Sequence, residues 1–417
     1  MPRVGRYANP FLSLQFAGDP PPGTRAELEL VETADRAATS GTLWLPAGKT
    51  PSTVLTFMHP RADFTRHYAV PGLLEAGYAV FCQNSRWVGN DSMLIHERVL
   101  FDVAAGMARL RARGFERIVA VGNSGGGSLY SLYQSQACAG DERIARTAAG
   151  DPIDLGSVEM PPVDAMVYLA AHPGEGRFLL GVIDPSVTDE ADPCSCDPSL
   201  DLYDPENGFA SPPQSSSFTH GFLESYRAAQ RTRVERIDTR ARALIATRRA
   251  ARAEAANAGD DATTRSAVRR ATAVEFMNVY RTEADPRCVD LSIDPSARDY
   301  GSLFGTRPDV INYGPFGFAR VVTPEAWLST WSGLSSHADT AASAASVDVP
   351  ALVISYTADN AVFPADATAI FEALASKDKQ RLDVAGDHYG HSGPGDDVAG
   401  RATAVDAMVQ WLRERGY

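Results

Sequence analysis

Apolar and polar positions alternate along residues 26–34 (A-E-L-E-L-V-E-T-A) and again along 41–46 (G-T-L-W-L-P). This period of two predicts an antiparallel strand pair with one wet face. Residues 52–58 (S-T-V-L-T-F-M), 78–83 (Y-A-V-F-C-Q), 118–121 (I-V-A-V) and 165–171 (A-M-V-Y-L-A-A) are instead short apolar runs bounded by turn residues. Such runs are expected of strands buried on both faces. Between them the period changes to that of a helix. Residues 66–76 end at Gly77, where a C′ glycine is expected. In 92–113, Leu94, Ile95, Val99, Leu100, Val103 and Met107 recur at helical spacing before Gly114. Residues 125–137 supply the helix after the 118–121 strand. This alternation predicts an α/β protein, with a mostly parallel sheet, helices on both faces, and chemistry beyond the carboxyl ends of the strands.

The alternation breaks after residue 174 and resumes with a strand at 351–356, a helix at 364–375, a strand at 381–384 and an amphipathic helix at 397–415. The expected division is therefore a core of 1–174 and 336–417 around one insertion, 175–335, with the size and position of a cap. Within it, 181–217 is rich in Pro, Asp and Ser and reads as irregular loop. Residues 218–256 carry a stripe of Leu223, Tyr226, Val234, Ile237, Ala241 and Leu244 at helical spacing. A turn at 257–260 and a second helix at 263–281 complete a helical hairpin over 218–281. Nine arginines between 227 and 252 face only Glu235 and Asp238. They suit a solvated face paired with acidic parts of the core or of a second copy, which would make a homo-oligomer; an anionic partner or membrane surface is the other reading. Residues 300–331 gather aromatics, among them Phe316, Phe318, Trp327 and Trp331. These either wall an apolar substrate pocket or fasten the cap to the sheet.

Composition narrows the classes. A chain of 417 residues with 44% hydrophobic and 22% charged residues is typical of a soluble globular protein. No apolar run approaches the roughly 20 residues of a membrane span, and residues 1–22 lack the apolar stretch of a secretory signal. The expected location is the cytoplasm, with no membrane partner. A net charge of −13 argues against a nucleic-acid partner bound through phosphates. The five cysteines contain no C-x-x-C pair, so neither zinc nor any other metal is expected. Pairing of Cys194 or Cys196 with Cys288 stays open, with free thiols the expected state in a reducing compartment.

The candidate chemistry centres on Gly122-Asn123-Ser124-Gly125-Gly126, a G-x-S-x-G sequence between the 118–121 strand and the 125–137 helix. Serine is a poor nucleophile until a base takes its proton and an acid orients that base. In a sheet of this kind the expected chain order is Ser, then Asp or Glu, then His. Asp359 follows the 351–356 strand in Y-T-A-D-N-A-V-F-P, and His388 follows the last strand in A-G-D-H-Y-G. Asp366 is the alternative acid, although it lies inside the predicted helix. His391 is the alternative base, and Asp387 adjoins His388 but points to the opposite side if the chain is extended there. His59 and His172 end strands beside the serine, as hydrogen-bonded pocket walls or substrate contacts. Arg86 and Trp87 end a neighbouring strand and are candidate substrate contacts. His96, His220 and His337 have no assigned role.

With G-N-S-G-G, T-A-D-N-A-V-F-P, G-D-H-Y-G and the H-P-R turn at 59–61, the chain resembles the α/β-hydrolases outside roughly 175–335. The resemblance implies the α/β-hydrolase fold with a large, mainly helical cap. It implies Ser124 as nucleophile, His388 as general base and then acid, and Asp359 as the orienting carboxylate. It also implies an oxyanion hole from the N–H groups of Gly125 and Arg61, since Pro60 has none. That family often has His-Gly where this chain has His59-Pro60. The expected activity is hydrolysis of a carboxylic ester of a bulky or apolar small molecule through an acyl-enzyme, with no cofactor. Cleavage of an amide, thioester, lactone or activated C–C bond uses the same constellation, and a non-catalytic ligand-binding role is the alternative of a different kind.

Overall fold

The computed structural model describes residues 14–256, 262–392 and 398–417. The expected turn at 257–260, the first part of the N-terminal stretch and the start of the last helix at 397 lie outside the described residues. Strands β1 (Arg25–Glu32) and β2 (Ala38–Leu45) pair antiparallel, with Arg25 opposite Leu45 and Glu32 opposite Ala38. Their wet face is not the polar one: Leu28 and Leu30 are 70% and 77% exposed, while Glu29 turns inward onto Arg109 and Arg113, each at 2.7 Å. Two guanidiniums make the inward position the better one for a carboxylate.

There follow β3 (Thr53–His59), α1 (Val70–Glu75), β4 (Ala79–Asn84), α2 (His96–Ala112), β5 (Arg117–Asn123), α3 (Gly125–Cys138) and β6 (Ala165–Leu169). Helix α1 begins later than the apolar pattern suggests because Pro71 is tolerated only in its first turn. The sheet order is β1-β2-β4-β3-β5-β6-β9-β10, where β9 is Ala351–Tyr356 and β10 is Lys379–Val384. Strand β2 is antiparallel to β4, and every later pair is parallel. Strands β3, β5 and β6 are buried along almost their whole length, which is why they read as continuous apolar runs. Met58, Phe81, Ile118 and Met166 pack on one face against α2 and α3. On the other face Phe57, Val80, Val119 and Val167 pack with Leu73, Met408 and Trp411.

The single interruption of the sheet lies between β6 and β9. It holds α4 (Glu175–Val182), the 37-residue α5 (His220–Ala256), α6 (Ala262–Thr272), β7 (Met277–Asn278), α7 (Pro308–Ile311), β8 (Val321–Val322), α8 (Pro324–Ala326) and α9 (Thr340–Ala344). After β9 come α10 (Pro364–Ala373), β10 and α11 (Ala399–Glu414). The second helix of the hairpin ends at Thr272 rather than at 281. Beyond it Met277 and Asn278 pair with Val322 and Val321, and Met277 and Val279 enter the cap core with Val234, Ile237 and Trp327. The arginines of α5 meet acids of both cap and core: Arg233 with Glu190 at 2.7 Å, Arg240 with Glu275 at 3.0 Å, Arg249 with Asp151 at 2.9 Å, and Arg248 with Glu325. All five cysteines are free. Among the described residues no helix is long and apolar enough to cross a membrane.

Candidate active site

Strand β5 delivers Ser124 at φ 53°, ψ −122°, and α3 begins at the next residue. A non-glycine residue held there costs on the order of 1–3 kcal/mol and persists only where its surroundings over-determine it. The surroundings are tight. A Cβ on Gly122 would lie 2.5 Å from the Gly127 Cα, and one on Gly126 would lie 2.5 Å from the Met58 carbonyl oxygen. The Ser124 amide donates to the Leu169 carbonyl at 3.1 Å, and the Asn123 side chain donates to the same oxygen at 2.8 Å. Asn123 Oδ1 in turn lies 3.2 Å from His67 Nε2. Because His67 Nδ1 accepts the Ala69 amide, its Nε2 carries the hydrogen and donates to Asn123. Burial holds this imidazole neutral, with its pKa pushed down to about 3. Neither His67 nor the bracing role of Asn123 was visible in the chain order, because their contact joins residues 56 apart.

His388 Nε2 stands 3.2 Å from Ser124 Oγ, and His388 Nδ1 stands 2.8 Å from Asp359 Oδ2. The other oxygen of Asp359 accepts the amides of Ala361 at 2.7 Å and Val362 at 2.9 Å. All three side chains are buried. Burial alone pushes the His388 pKa down, but the Asp359 charge and its hydrogen bond outweigh this and hold it above the ordinary imidazole value. The other candidate groups are engaged elsewhere. Asp366 accepts the Phe363 amide and pairs with Arg287 at 3.1 Å. Asp387 pairs with His391 at 3.1 Å and accepts the amides of Tyr389 and His391.

Arg61, Ser124, His172, Glu175, Phe178, Leu303, Phe318, Trp331, Ala361, His388 and Tyr389, with Leu14, line a space of about 440 Å³ including its mouth. The Arg61 guanidinium is held by Asp91 at 2.7 Å and lies over the rings of Phe318 and Trp331. A second space of about 290 Å³ shares Phe178, Leu303, Phe318 and Ala361 with the first and ends at Glu283 and Ser302. Of the expected aromatic wall, Phe318 and Trp331 face the serine. Trp327 is buried in the cap with its indole N–H on Asp238 at 2.7 Å, and Phe316 stacks on Phe304. Thus the same segment both walls the pocket and fastens the cap.

Arg86 and Trp87 are not among the residues lining this space. Arg86 is the hub of an ion-pair set with Asp35 at 2.6 Å and Asp102 at 2.6 Å, and Trp87 packs against the core. The amides of Arg61 and Ala62 both donate to His59 Nδ1 at 3.1 Å, so the Arg61 N–H expected in the oxyanion hole is already engaged.

A buried acid absent from the sequence reading completes the site. Glu175, at the start of α4, is buried and lies with His59 and His172 against the first residue of α3, with His96 beside its other oxygen. A Cβ on Gly125 would sit 2.3 Å from Glu175 Oε1, 2.8 Å from His59 Nε2 and 3.0 Å from His172 Nε2. Ser128 donates to Glu175 Oε2 at 3.2 Å, and His96 Nε2 lies 3.5 Å from the same oxygen. Burial raises the carboxyl, but His96, His172 and His59 more than offset it and hold Glu175 well below the ordinary carboxylate range. Burial pushes His172 down to about 4 and His59 well below its ordinary value. Ligand atoms of His59, His172 and Glu175 lie within 4.8 Å of one another, a donor set seen around zinc. The ring tautomers oppose that use. His172 Nδ1 accepts the Gly174 amide at 3.0 Å and His59 Nδ1 accepts two amides, so in both neutral rings Nε2 carries hydrogen instead of a ligating lone pair.

No protein-family model matches the chain, and no curated protein matches it in sequence. Among solved structures, it is similar to the esterase domain of a Rhodothermus marinus protein, with 13% identity, TM-score 0.44, and 94% of this chain and 98% of that one covered. It is also similar to a Pyrococcus furiosus esterase (9%, TM-score 0.44, 96% of each) and a Paleococcus ferrophilus monoacylglycerol lipase (12%, TM-score 0.40, 93% and 99%).

Proposed function

The chain has the α/β-hydrolase fold, and from that premise we propose that it is a serine hydrolase cleaving a carboxylic ester of a small molecule through an acyl-enzyme. The single observation that carries this reading is the run of contacts from Asp359 to His388 to Ser124, at 2.8 and 3.2 Å. With its Nδ1–H held by the carboxylate, His388 presents the Nε2 lone pair to the serine hydroxyl. It takes the Oγ proton as Oγ attacks the ester carbonyl, returns it to the departing alcohol, and then takes a proton from the water that releases the acid. The Gly125 amide, first of α3, faces the developing oxyanion with the positive end of the helix behind it. For the Arg61 amide to join it, its hydrogen bond to His59 Nδ1 has to lengthen as the oxyanion forms.

The walls favour an apolar group beside the ester, since Leu14, Phe178, Leu303, Phe318, Trp331 and Ala361 make half of the lining residues. The test is labelling of the native protein and of Ser124→Ala with a fluorophosphonate probe. Labelling of the native protein alone is expected, with loss of ester turnover on the order of a millionfold in the variant. Labelling of the alanine variant, or none of either, overturns the assignment. A panel of matched ester, thioester, anilide and lactone substrates then separates the bond types; the ester is expected to be turned over best.

A further inference from the structure

Phe178, Leu303, Phe318 and Ala361 belong to the linings of both spaces, the one over Ser124 and the one that ends at Glu283 and Ser302. Side chains shared by two separate spaces form the wall between them. Resting on the serine-hydrolase reading, we propose that Phe178, Leu303 and Phe318 are the floor of the acyl site and restrict the enzyme to esters of short acids, from acetate to butanoate.

Size supports the restriction. Clear of its side chains, the space over Ser124 has room for roughly one or two water-sized groups. The carbons beyond the carbonyl of an acetyl, propanoyl or butanoyl group fill that much, and a longer chain meets the floor. The acid is the arm assigned to this space because it stays bound to Ser124 after the alcohol has left, and must fit while water enters.

The floor is held from several sides. The rings of Phe178 and Phe318 meet edge to face at 4.9 Å, and Phe304 stands 5.4 Å from Phe318. The Arg61 guanidinium, itself held by Asp91, lies 4.9 Å from the Phe318 ring centre. Thr282 Oγ1 accepts the Phe318 amide and donates to its carbonyl, each at 2.9 Å, which fixes the backbone under the ring. Leu303 sits in a turn closed by two hydrogen bonds between Ser302 and Gly305. A longer chain would have to displace packed rings, and a close-packed interior resists that.

What lies beyond the floor also disfavours an alkyl end. The second space has room for roughly one water molecule and closes on Glu283 and Ser302. A terminal methyl there would deny these buried polar groups the hydrogen bonds that water supplies. Burial already pushes the Glu283 carboxyl up to about 8, so the surroundings stabilise its charge poorly.

The experiment compares kcat/KM for p-nitrophenyl acetate, butanoate and octanoate in the native protein and in Leu303→Ala, beside ethyl, butyl and octyl acetate. Leu303 is only partly buried and lies outside the catalytic groups, so its truncation opens the floor with the least disturbance of the cap. The native protein is expected to lose on the order of 100-fold between butanoate and octanoate, and to change little along the acetate series. In Leu303→Ala the ratio of octanoate to acetate is expected to rise by about tenfold or more. Each ratio is read within one preparation, so a partly unfolded variant does not move it. Native turnover of octanoate within about threefold of butanoate, a ratio unchanged in Leu303→Ala, or a loss that follows the length of the alcohol instead of the acid overturns the proposal. Fluorophosphonate labelling of Ser124 without a preference for short acids sinks this inference alone; absence of labelling sinks the serine reading beneath it.

Discussion

Asp359 places one carboxylate oxygen 2.8 Å from His388 Nδ1 and spends the other on the amides of Ala361 and Val362, two and three residues further on. The carboxylate is thereby fixed by its own turn before it meets the histidine 29 residues later. It can hold the imidazole in one tautomer without moving.

The replacement Asp359→Asn keeps the shape and removes the charge. A fall in kcat on the order of 10⁴-fold is expected, with the structure retained, because an amide permits the wrong imidazole tautomer. Steady-state kinetics on the best ester, beside a far-UV spectrum and a melting curve, checks it. A loss below tenfold would move the orienting acid elsewhere.

His388 works as a base only when neutral, and the Asp359 charge holds its pKa above the ordinary value of 6.5. Activity is therefore expected to rise with pH through a midpoint above 6.5. The stabilisation of the protonated ring by Asp359 has the opposite sign: it is fully present below 6.5 and is lost as pH rises through the raised value. A kcat/KM profile between pH 5 and 9 with its acid limb below 6.5 would contradict this electrostatic balance.

The buried acid–base cluster makes the fold sensitive to acid. His172 titrates near 4 in the folded chain against 6.5 unfolded, so between these values the unfolded chain binds more protons. Stability then falls as pH drops through that window, by about 3 kcal/mol for this residue alone when the shift is converted directly. Glu175, whose folded pKa is depressed, adds to the loss once pH falls below its ordinary 4.5. Urea unfolding at pH 7, 5.5 and 4 is expected to show a progressively lower midpoint, and His172→Phe a shallower decline over pH 6.5–4.

Arg86 is a stability residue in this structure. Its guanidinium meets Asp35 and the buried Asp102, and these acids raise its pKa despite burial. Arg86→Met leaves the buried Asp102 without its partner and is expected to cost about 3–5 kcal/mol. KM is expected to be unchanged at temperatures where the variant stays folded, since Arg86 does not line the cavity. A KM raised tenfold with unaltered stability would make it a substrate contact.

Asn123 ties the elbow to two elements at once. Asn123→Ala removes the donor to the Leu169 carbonyl and leaves the His67 N–H without its acceptor. The expected loss is about 1–3 kcal/mol in denaturant unfolding, together with a reduced kcat as the Ser124 conformation loosens. Unchanged stability would show that the elbow is held by its glycines alone.

How much of this was legible in the chain follows from the range of the interactions. The strands, the helices behind them, the single interruption at the cap and the Ser, Asp, His order rest on local periodicity and on turns at strand ends, which neighbouring residues dictate. The apolar alternation of β1 misled about direction, because whether Glu29 or Leu30 faces inward depends on arginines 80 and 84 residues away. The hairpin's second helix stopped at Thr272 because a strand partner near residue 322 claims Met277, a competition that helical spacing does not register. Arg86 changed from a pocket contact to a buried ion-pair hub for the same reason. The sequence alone determined an α/β sheet with a strained serine at a strand end and its acid and histidine in order. Only the tertiary structure decided that Glu175 and two histidines from separate strand ends close over Gly125, since no spacing along the chain encodes which buried polar groups will share one desolvated space.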